Sequence, residues 1–560
     1  MHAYTLRDVM STWAQREPER TAISFVSFSG SHNQCHSLSA GMLDRRARAI
    51  ATLLLSRMNP GERALLVYPP GIAFAEAFLA CLYAGVIPVT LAVPRARSQS
   101  RMAHIVRDST TRLLLTHSDM LAGLPALLDV QLDMLATDEV PESIASDFRE
   151  VTLDDADVAF LQYTSGSTGQ PKGIRISHRA LLANLDHIGK AFGHDASSVA
   201  VNWLPMHHDM GLIGALLHPL FAGFHAVLMS PGAFIQRPLR WLQLIARFGG
   251  TSCGGPSFGY RHCVSRIDLA DAAQHDLSTW RVAFCGAEPI QISSLDAFAT
   301  HFALAGFRAT SFLPCYGLAE ATLFVTGEAP ERGMHKETFD VQSLEQGLAI
   351  PAIGGRELVS CGAPSDGTTV AILNPEGKIR EDGGIGEVVV AGPGVGSGYW
   401  DSGRADDDAF SVALPGFGQR KFLRTGDLGF VFNHTLFITG RAKDVIIVEG
   451  RNLAPQDIEW SIVECHQAIR AAMVFGVQVE RGEDIVVLAE VSSQEHEESL
   501  EAVAFGIRAV TSSIHGVVPA ALMLVRAGTL PRTTSGKPMR NQARDLYERG
   551  VLHSSSMFCS

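Results

Sequence analysis

The stretch "LQYTSGSTGQPKGIRISH", residues 161–178, carries the strongest signal in the chain. An apolar run ends at Tyr163 and the alternating run "IRIS" follows Gly173, a pattern that predicts two strands joined by a Gly-rich turn. Glycines let backbone N–H groups face an anion, while Ser and Thr hydroxyls and Lys172 add further donors and one positive charge. The stretch therefore predicts a loop that binds a triphosphate.

Two other interpretations of this stretch are weaker. The phosphate loop of nucleotide triphosphatases needs G-x-x-x-x-G-K-[ST] at the start of a helix, whereas here Lys172 is followed by Gly173 and a strand. A flexible Gly-Ser turn is not expected between two buried strands with a Lys at its end. A phosphotransferase is therefore disfavoured, and so is a simple linker.

Composition limits the classes of partner. The chain has 46 Lys and Arg against 58 Asp and Glu, a formal net charge of −12, so no overall basic field attracts nucleic acid. Its nine Cys include no C-x-x-C pair, which is typical of free thiols in a reducing compartment. We expect a cytoplasmic protein that does not bind nucleic acid.

No segment is expected to direct secretion or to cross a membrane. Charged residues interrupt the first part of the chain, unlike a signal peptide. The most apolar stretch, residues 77–93, contains Gly85 and Pro88 and falls short of the ~20 residues that a spanning helix needs. We predict a buried helix, a turn and a buried strand there.

The order of predicted elements divides the chain. Short β-rich runs alternate with longer helical patterns up to about residue 330, which predicts an α/β fold with parallel sheets covered by helices in a large N-terminal domain, residues 1–440. Within it, residues 351–440 predict a small β-rich, mostly antiparallel subdomain. A small α/β domain is predicted for residues 446–545, followed by a polar tail at 546–560.

Seven motifs in order resemble the acyl-adenylating superfamily of AMP-dependent synthetases and ligases. They are "YTSGSTGQPKG", "WLPMHHDMGLIG", "CGAEPI", "YGLAEATLFV", "RTGDLGF", "GRAKDVIIVEGRN" and "LPRTTSGKPMR", and they span nearly the whole chain. Their wording is most similar to the fatty acyl-AMP ligases, which make acyl-adenylates and pass the acyl group to a carrier protein's phosphopantetheine. Residues 331–357 lie where that subfamily carries an insertion.

The resemblance implies ATP and a fatty acid as substrates, Mg²⁺ as cofactor, and a separate carrier protein or synthase carrier domain as acceptor. An acyl-CoA synthetase is the related alternative. A nucleotide-binding regulator without catalysis is the alternative from a different class. The resemblance further implies the adenylate-forming fold, in which the C-terminal domain is a mobile lid.

The resemblance also assigns roles to individual residues. The loop over the β- and γ-phosphates would comprise Thr164, Ser165, Gly166, Ser167, Thr168, Gly169 and Lys172. Adenosine would be held by Ala287, Tyr316, Gly317, Asp427 and Arg441. Catalytic roles are implied for Lys537, His208, Glu320 and Lys172, with Glu320 also holding Mg²⁺, and Lys443 would be the hinge residue within 441–445.

Simpler interpretations of some of these residues stay open. Glu320 could be a solvated carboxylate at a helix end, Ala287 could end a buried strand without touching a ligand, and His207 could simply pack. Adjacent His207 and His208 are not expected to form a metal site, since neighbouring side chains in a strand point to opposite faces. The sequence does not reveal the acyl chain length.

Overall fold

A computed structural model of the chain describes residues 5–30, 32–94, 99–128, 131–164, 171–400, 408–448, 450–479, 482–492, 497–532, 536–552 and 556–559. Two large sheets form the N-terminal part. The first has nine strands in the order Ala363–Pro364, Phe324–Gly327, Phe312–Gly317, Val282–Cys285, Ser252–Gly255, Val199–Asn202, His225–Met229, Thr21–Ser29 and His32–Ser39. The second has six strands in the order Asp133–Ala136, Leu113–Thr116, Arg63–Val67, Ile87–Leu91, Val158–Thr164 and Lys172–Ser177.

Parallel strands make up the centre of both sheets. In the nine-stranded sheet the six strands from Phe312–Gly317 across to Thr21–Ser29 pair in parallel, with antiparallel strands at the edges. In the six-stranded sheet only the last pair, Val158–Thr164 with Lys172–Ser177, is antiparallel. The predicted α/β class with parallel sheets is confirmed.

Helices pack against these sheets, and their apolar side chains join the strands in a continuous core. The described helices of this part include Leu6–Arg16, Ala40–Leu55, Ile72–Ala84, Gln99–Ser109, His178–Phe192, the π-helical Met210–Leu217, His218–Ala222, Pro231–Gln236, Leu239–Phe248, Ser257–Arg266, Leu269–Ala272 and Ile292–His301. Residues 77–93 confirm their prediction, because the helix Ile72–Ala84 ends at Gly85, whose φ of +67° suits glycine, and the buried strand Ile87–Leu91 follows.

The predicted β-rich subdomain is also present. Its antiparallel sheet contains Thr369–Leu373, Gly386–Ala391, Lys421–Phe432, Val412–Ala413 and Thr435–Arg441. The segment predicted as an insertion, 331–357, forms the strand Lys336–Phe339 and the helix Val341–Glu345. The strand Arg356–Val359, which begins at the end of this segment, pairs antiparallel with Lys336–Phe339. Phe339 is fully buried against three aromatic rings of the β-rich sheet, Phe430, Phe432 and Phe437.

The C-terminal part has its own sheet and apolar cores. A short hairpin, Ile446–Val448 with Arg451–Leu453, leads into it. The sheet has the order Ile469–Val479, Gly482–Val491, Ala521–Arg526 and Ser556–Cys559, and its helices are Pro455–Cys465, Glu497–His515 and Arg540–Glu548. The helix Pro455–Cys465 begins at a proline, which suits the first helical position because it lacks the N–H that the first turn would leave unbonded.

The end of this domain corrects the sequence analysis. The helix Arg540–Glu548 continues past residue 545, and Ser556–Cys559 pairs antiparallel with Ala521–Arg526. Residues 546–560, predicted as a polar tail, therefore contribute the fourth strand of the sheet. The run "SMFC" at 556–559 includes Phe and Met among polar neighbours, and such short runs can pair with a sheet edge although they carry little local signal.

Candidate active site

Three of the predicted motifs begin where parallel strands end. The Gly-rich loop follows Val158–Thr164, the "GAE" segment follows Val282–Cys285, and "YGLAE" continues from the neighbouring strand Phe312–Gly317. Ligand sites of α/β proteins lie at the carboxyl ends of the strands. The fold therefore places these three motifs where a ligand is expected.

The two strands around the Gly-rich loop form a hairpin. Thr164 is paired with Lys172 and Tyr163 with Gly173. A Cβ on Gly173 would lie 2.8 Å from the Tyr163 ring, so this glycine is needed for the two strands to approach. Ser165, Gly166, Ser167, Thr168 and Gly169 lie outside the described residues.

Tyr399 connects the two charged residues predicted at the phosphates. The Lys172 ammonium lies 5.2 Å from the centre of the Tyr399 ring, and the Tyr399 hydroxyl donates to Glu320 Oε1 at 3.3 Å. Burial raises the pKa of Glu320. Tyr399 was not predicted from the sequence, although an aromatic pair after the Gly-rich run "GPGVGSG" could have drawn attention to it.

The backbone beside Glu320 is held in an uncommon conformation. Thr322 has φ +66° and ψ −64°, and its hydroxyl donates to the Gly394 carbonyl at 2.7 Å. A Cβ on Gly317 would lie 1.7 Å from the Leu323 carbonyl oxygen. Residues held in such conformations concentrate at functional sites. This geometry argues against a solvated carboxylate at a free helix end.

Asp427 is bonded on both carboxylate oxygens. Arg441 Nε donates to Oδ1 at 3.1 Å, and the Tyr316 hydroxyl donates to Oδ2 at 2.8 Å. Asp427 and Arg441 are directly opposite in neighbouring antiparallel strands, and Gly426, at φ +71°, forms the bend before the carboxylate. Burial and the Asp427 charge raise the pKa of Tyr316, and Asp427 raises that of Arg441.

Two observations connect these groups with the rest of the cleft. Asp427 and Arg441 both affect the pKa of Glu320, so the three charges share one environment. Ala287, predicted at the adenine, has φ +70°, which is uncommon for a residue with a Cβ. The preceding Gly286 has no room for a side chain, since its Cβ would lie 2.6 Å from the Cys315 carbonyl oxygen.

His208 is bonded to the next residue in the chain. His208 Nδ1 lies 2.5 Å from Asp209 Oδ1, and Asp209 also accepts the Met210 N–H at 2.7 Å. The sequence analysis treated the two histidines as strand residues; they lie instead in a turn between the strand Val199–Asn202 and the π-helix Met210–Leu217. Gln162 Nε2 holds this turn by donating to the His207 carbonyl at 3.3 Å.

Asp209 is the second residue of the candidate site that the sequence analysis did not predict. Burial alone would raise the pKa of Asp209, but the His208 ring, the Lys537 ammonium and the Met210 amide together lower it to about 2. The carboxylate is therefore charged at neutral pH. A short carboxylate at a helix start next to a histidine was the available signal.

Lys537 is carried to the cleft by the C-terminal domain. Its charge acts on Asp209 and on Glu288, both in the N-terminal domain. Arg532 Nη1 donates to the Gly536 carbonyl at 3.0 Å, which closes the loop on which Lys537 lies. Lys443, the predicted hinge residue, lies in a turn where the Asp444 N–H donates to the Arg441 carbonyl at 3.0 Å.

The two domains touch through ionic and polar contacts elsewhere. Arg451 binds Glu345 of the segment 331–357 with two bonds of 2.7 Å. Arg356 binds Asp457 at 2.7 Å. Glu464 accepts from Gln291 at 3.1 Å and from Ser293 at 2.8 Å.

The described ranges also limit two further classes of site. None of their helices has the length and apolar character needed to cross a bilayer. Within the same ranges, no three His, Cys, Asp or Glu side chains are grouped as metal ligands.

Comparison with known proteins identifies the family. The model of the AMP-binding enzyme family matches residues 10–400, and that of the Disco-interacting protein 2-like AMP domain matches residues 443–557. The medium-chain-fatty-acid–[acyl-carrier-protein] ligase JamA of Moorena producens (strain JHB) is 35% identical over 569 residues, which cover 98% of this chain and 96% of JamA. The 4-hydroxyphenylalkanoate adenylyltransferase of Mycobacterium tuberculosis (strain ATCC 25618 / H37Rv) is 34% identical, with 98% and 92% covered.

The fold also matches that of a solved relative. The fatty acyl-adenylate ligase of Legionella pneumophila, in complex with acyl adenylate and pyrophosphate, has a TM-score of 0.78 and 33% identity, and the match covers 100% of this chain and 98% of that one. The expected adenylate-forming fold is confirmed. Since the family model spans most of the chain and the relatives match it nearly end to end, this protein belongs to the AMP-binding enzymes and, within them, to the fatty acyl-AMP ligases.

Proposed function

We propose that this protein uses ATP to convert a medium- or long-chain fatty acid to acyl-AMP with release of pyrophosphate, and then passes the acyl group to the phosphopantetheine thiol of a separate carrier protein or carrier domain. One observation carries the proposal: the charge of Lys537, on the C-terminal domain, acts on Asp209 and Glu288 at the cleft of the N-terminal domain. JamA, whose name specifies a medium-chain acid and an acyl carrier protein, supports the substrate and acceptor classes.

Asp427 would receive the ribose hydroxyls of ATP. An ionised carboxylate offers about four lone-pair sites, so two hydroxyls can join the bonds from Tyr316 and Arg441. Those two bonds hold the carboxylate in place before the nucleotide arrives. Tyr316, Gly317 and the Ala287 backbone would then contact the adenine.

Lys172 and the Gly-rich loop would hold the β- and γ-phosphates. Glu320 fits the Mg²⁺ that the family implies, because Mg²⁺ takes one or two carboxylates together with substrate phosphates. Burial raises the pKa of Glu320, and a divalent cation bound beside it would favour the charged carboxylate. Bound there, Mg²⁺ would neutralise charge on the phosphate oxygens.

The first step exchanges one bond to phosphorus for another. A carboxylate oxygen of the fatty acid attacks the α-phosphorus, the bond from that phosphorus to the oxygen bridging to the β-phosphate breaks, and pyrophosphate leaves. Lys537 would place its ammonium on the α-phosphate and carboxylate as negative charge redistributes. Because Lys537 lies on the C-terminal domain, this step requires the domains to be closed.

The second step exchanges the acyl group. The phosphopantetheine sulfur attacks the acyl carbon, the bond from that carbon to the AMP oxygen breaks, AMP leaves, and the thiol proton is released to solvent. Rotation at Lys443 would open the cleft to the thiol. His208, with Nδ1 bonded to Asp209, would keep its other ring nitrogen available beside the acyl group.

The test separates the two steps. Full-length protein is incubated with α-labelled ATP, Mg²⁺ and dodecanoate, and the labelled acyl-AMP is then chased with coenzyme A or with a phosphopantetheinylated carrier protein. We expect labelled adenylate and its discharge by the carrier. A 4-hydroxyphenylalkanoate arm probes the acid named for the mycobacterial relative.

The other outcomes select among the alternatives. Rapid discharge by coenzyme A would identify an acyl-CoA synthetase. Absence of adenylate with every acid, together with retained ATP binding, would identify a nucleotide-binding regulator. Either result contradicts the proposal.

A further inference from the structure

A buried ionic cluster lies between the hinge and the loop that carries Lys537. Its centre is Arg540, the first residue of the helix Arg540–Glu548 and the third after Lys537. Arg540 Nη1 donates to Asp444 Oδ2 at 2.7 Å, while Nε and Nη2 donate to the two carboxylate oxygens of Glu459 at 2.8 and 2.6 Å. The Arg540 side chain is 10% exposed. One guanidinium therefore joins carboxylates from two segments.

The two carboxylates have different surroundings. Glu459 lies on the helix Pro455–Cys465 of the same domain and also accepts the Val474 N–H at 2.9 Å, so it anchors Arg540 inside the domain. Asp444 follows the hinge residue Lys443 directly. The bond to Asp444 is thus the one that connects Arg540 with the hinge.

The hinge turn continues to the nucleotide side of the cleft. The Asp444 and Val445 N–H groups donate to the Arg441 carbonyl at 3.0 and 3.2 Å, and the Arg441 side chain binds Asp427. A continuous path of bonds therefore runs from Asp427 through the turn 441–444 to Arg540. A change in the turn must either move Arg540 or break its bond to Asp444.

The loop that carries Lys537 is short and closed at its base. The Met539 N–H donates to the Pro531 carbonyl at 3.0 Å, and Arg532 and Pro538 form a β-bridge. Arg540 follows this base immediately. The position of Arg540 therefore sets where the base of the loop, and with it Lys537, lies relative to the hinge.

We propose that Arg540 is a positioning residue for the adenylation step: its bond to Asp444 holds the Lys537 loop where Lys537 reaches the reacting phosphate. The proposal rests on the proposed function, because it requires Lys537 to act in adenylation. Charge-assisted fork bonds are strong and directional, which suits a geometric role. Asp444 is 21% exposed, against 9% for Glu459, so the bond to the hinge is the more accessible of the two.

The test compares Asp444→Asn with wild type in both half-reactions, using dodecanoate and ATP for the first and added dodecanoyl-AMP with carrier protein for the second. We expect kcat for adenylation to fall by about 10²-fold, since misplacing a catalytic group by about 1 Å has that effect. KM for ATP and discharge by the carrier should stay near wild type. Arg540→Lys, which keeps the charge but loses the fork, should give an intermediate loss.

Two controls separate positioning from a general structural role. Arg544→Gln, one turn along the same helix and bonded to Asn541, should leave both half-reactions unchanged. Glu459→Gln should lower the melting temperature and impair both half-reactions together. Combined with Lys537→Ala, Asp444→Asn should cause no further loss of the residual adenylation rate, because residues acting as a unit are not additive.

Three results would overturn the proposal: adenylation by Asp444→Asn at the wild-type rate, equal loss of both half-reactions with a lower melting temperature, or a full additional loss in the Lys537→Ala background. If wild type forms no acyl-AMP with any acid, the proposed function fails first and this inference fails with it. Normal wild-type adenylation combined with any of the three results leaves the proposed function standing and removes only the role of Arg540.

Discussion

The nucleotide side of the cleft and the contact between the domains are built differently. Around Asp427, itself 7% exposed, the bonds join strands and loops of the N-terminal domain. Across the domain contact, Arg451 at Glu345 and Arg356 at Asp457 are 35% and 30% exposed, and these contacts consist of ion pairs. The ion pair at Asp427 is open as well, since Arg441 is 60% exposed, but there the buried Tyr316 hydroxyl also holds the carboxylate. Exposed ion pairs stabilise weakly. Under the proposed function, the groups around Asp427 are therefore organised before substrate arrives, whereas the position of Lys537 depends on contacts that can be exchanged.

The sharpest test of this difference removes the charge that the C-terminal domain contributes. Lys537→Ala should lower kcat for adenylation by about 10²–10³-fold, the usual loss when one preorganised transition-state donor is removed. Discharge of added acyl-AMP by the carrier should be preserved. Labelled-adenylate formation measures the first step, and Lys378→Ala, at an exposed turn, is the control. Full adenylation by Lys537→Ala would contradict the assigned role.

The next test changes the preorganised side. Asp427→Asn should raise KM for ATP by about 10–100-fold, because hydrogen bonds to a charged group are worth about 1.5–3 kcal/mol and about 1.4 kcal/mol is tenfold. Tyr316→Phe removes only one donor to the carboxylate and should have a smaller effect. Initial rates against ATP concentration give both values. An unchanged KM for ATP in Asp427→Asn would show that the Asp427 carboxylate does not bind the nucleotide.

A third test uses pH at the domain contact. Burial raises the pKa of Asp457 to about 6, although Arg356 opposes the rise. The folded state therefore favours the protonated carboxyl, and this stabilisation is complete below the ordinary aspartate pKa and lost as pH rises through about 6. Wild type should lose up to about 3 kcal/mol of stability between pH 4 and pH 7, an upper bound from about two pKa units.

Asp457→Asn stays neutral and should lack this loss over the same pH range. Unfolding by denaturant at several pH values measures it for both proteins. Asp545→Asn, at an exposed position in the same domain, should behave as wild type. If the free energy of unfolding depends on pH in the same way for wild type and Asp457→Asn, this carboxyl does not titrate over that pH range.

The smallest effect is expected at the segment 331–357. Glu345→Gln removes the charge from the pair with Arg451, which is worth about 1 kcal/mol at this exposure, or roughly fivefold in an equilibrium. Amide hydrogen exchange in residues 441–445 should accelerate by no more than that factor. Glu357→Gln, exposed on the same segment, is the matched control, and equal exchange in all three proteins would exclude the pair as a contributor to closure.

Much of the fold follows from local patterns. The strand, loop and strand around Lys172 were predicted because alternation and glycines act over a few residues. Asp427 and Arg441 were assigned by resemblance, and the structure pairs them across neighbouring strands, which suits a shared role at one ligand.

The remaining features depend on contacts between distant segments. Arg451 and Glu345 are 106 positions apart, and Tyr399 reaches Glu320 across 79 positions, so no local pattern signals either contact. A contact between distant segments also explains why residues 556–559 form a strand that the sequence analysis did not predict. The strand Ser556–Cys559 forms only because Ala521–Arg526 offers an edge for it.

That last strand has a practical consequence for handling the protein. Shortening the chain before residue 556 would leave the backbone N–H and C=O groups of Ala521–Arg526 unpaired along one side. An uncovered edge can recruit strands from other molecules. We expect such a shortened protein to self-associate and precipitate, even with every residue of the cleft intact.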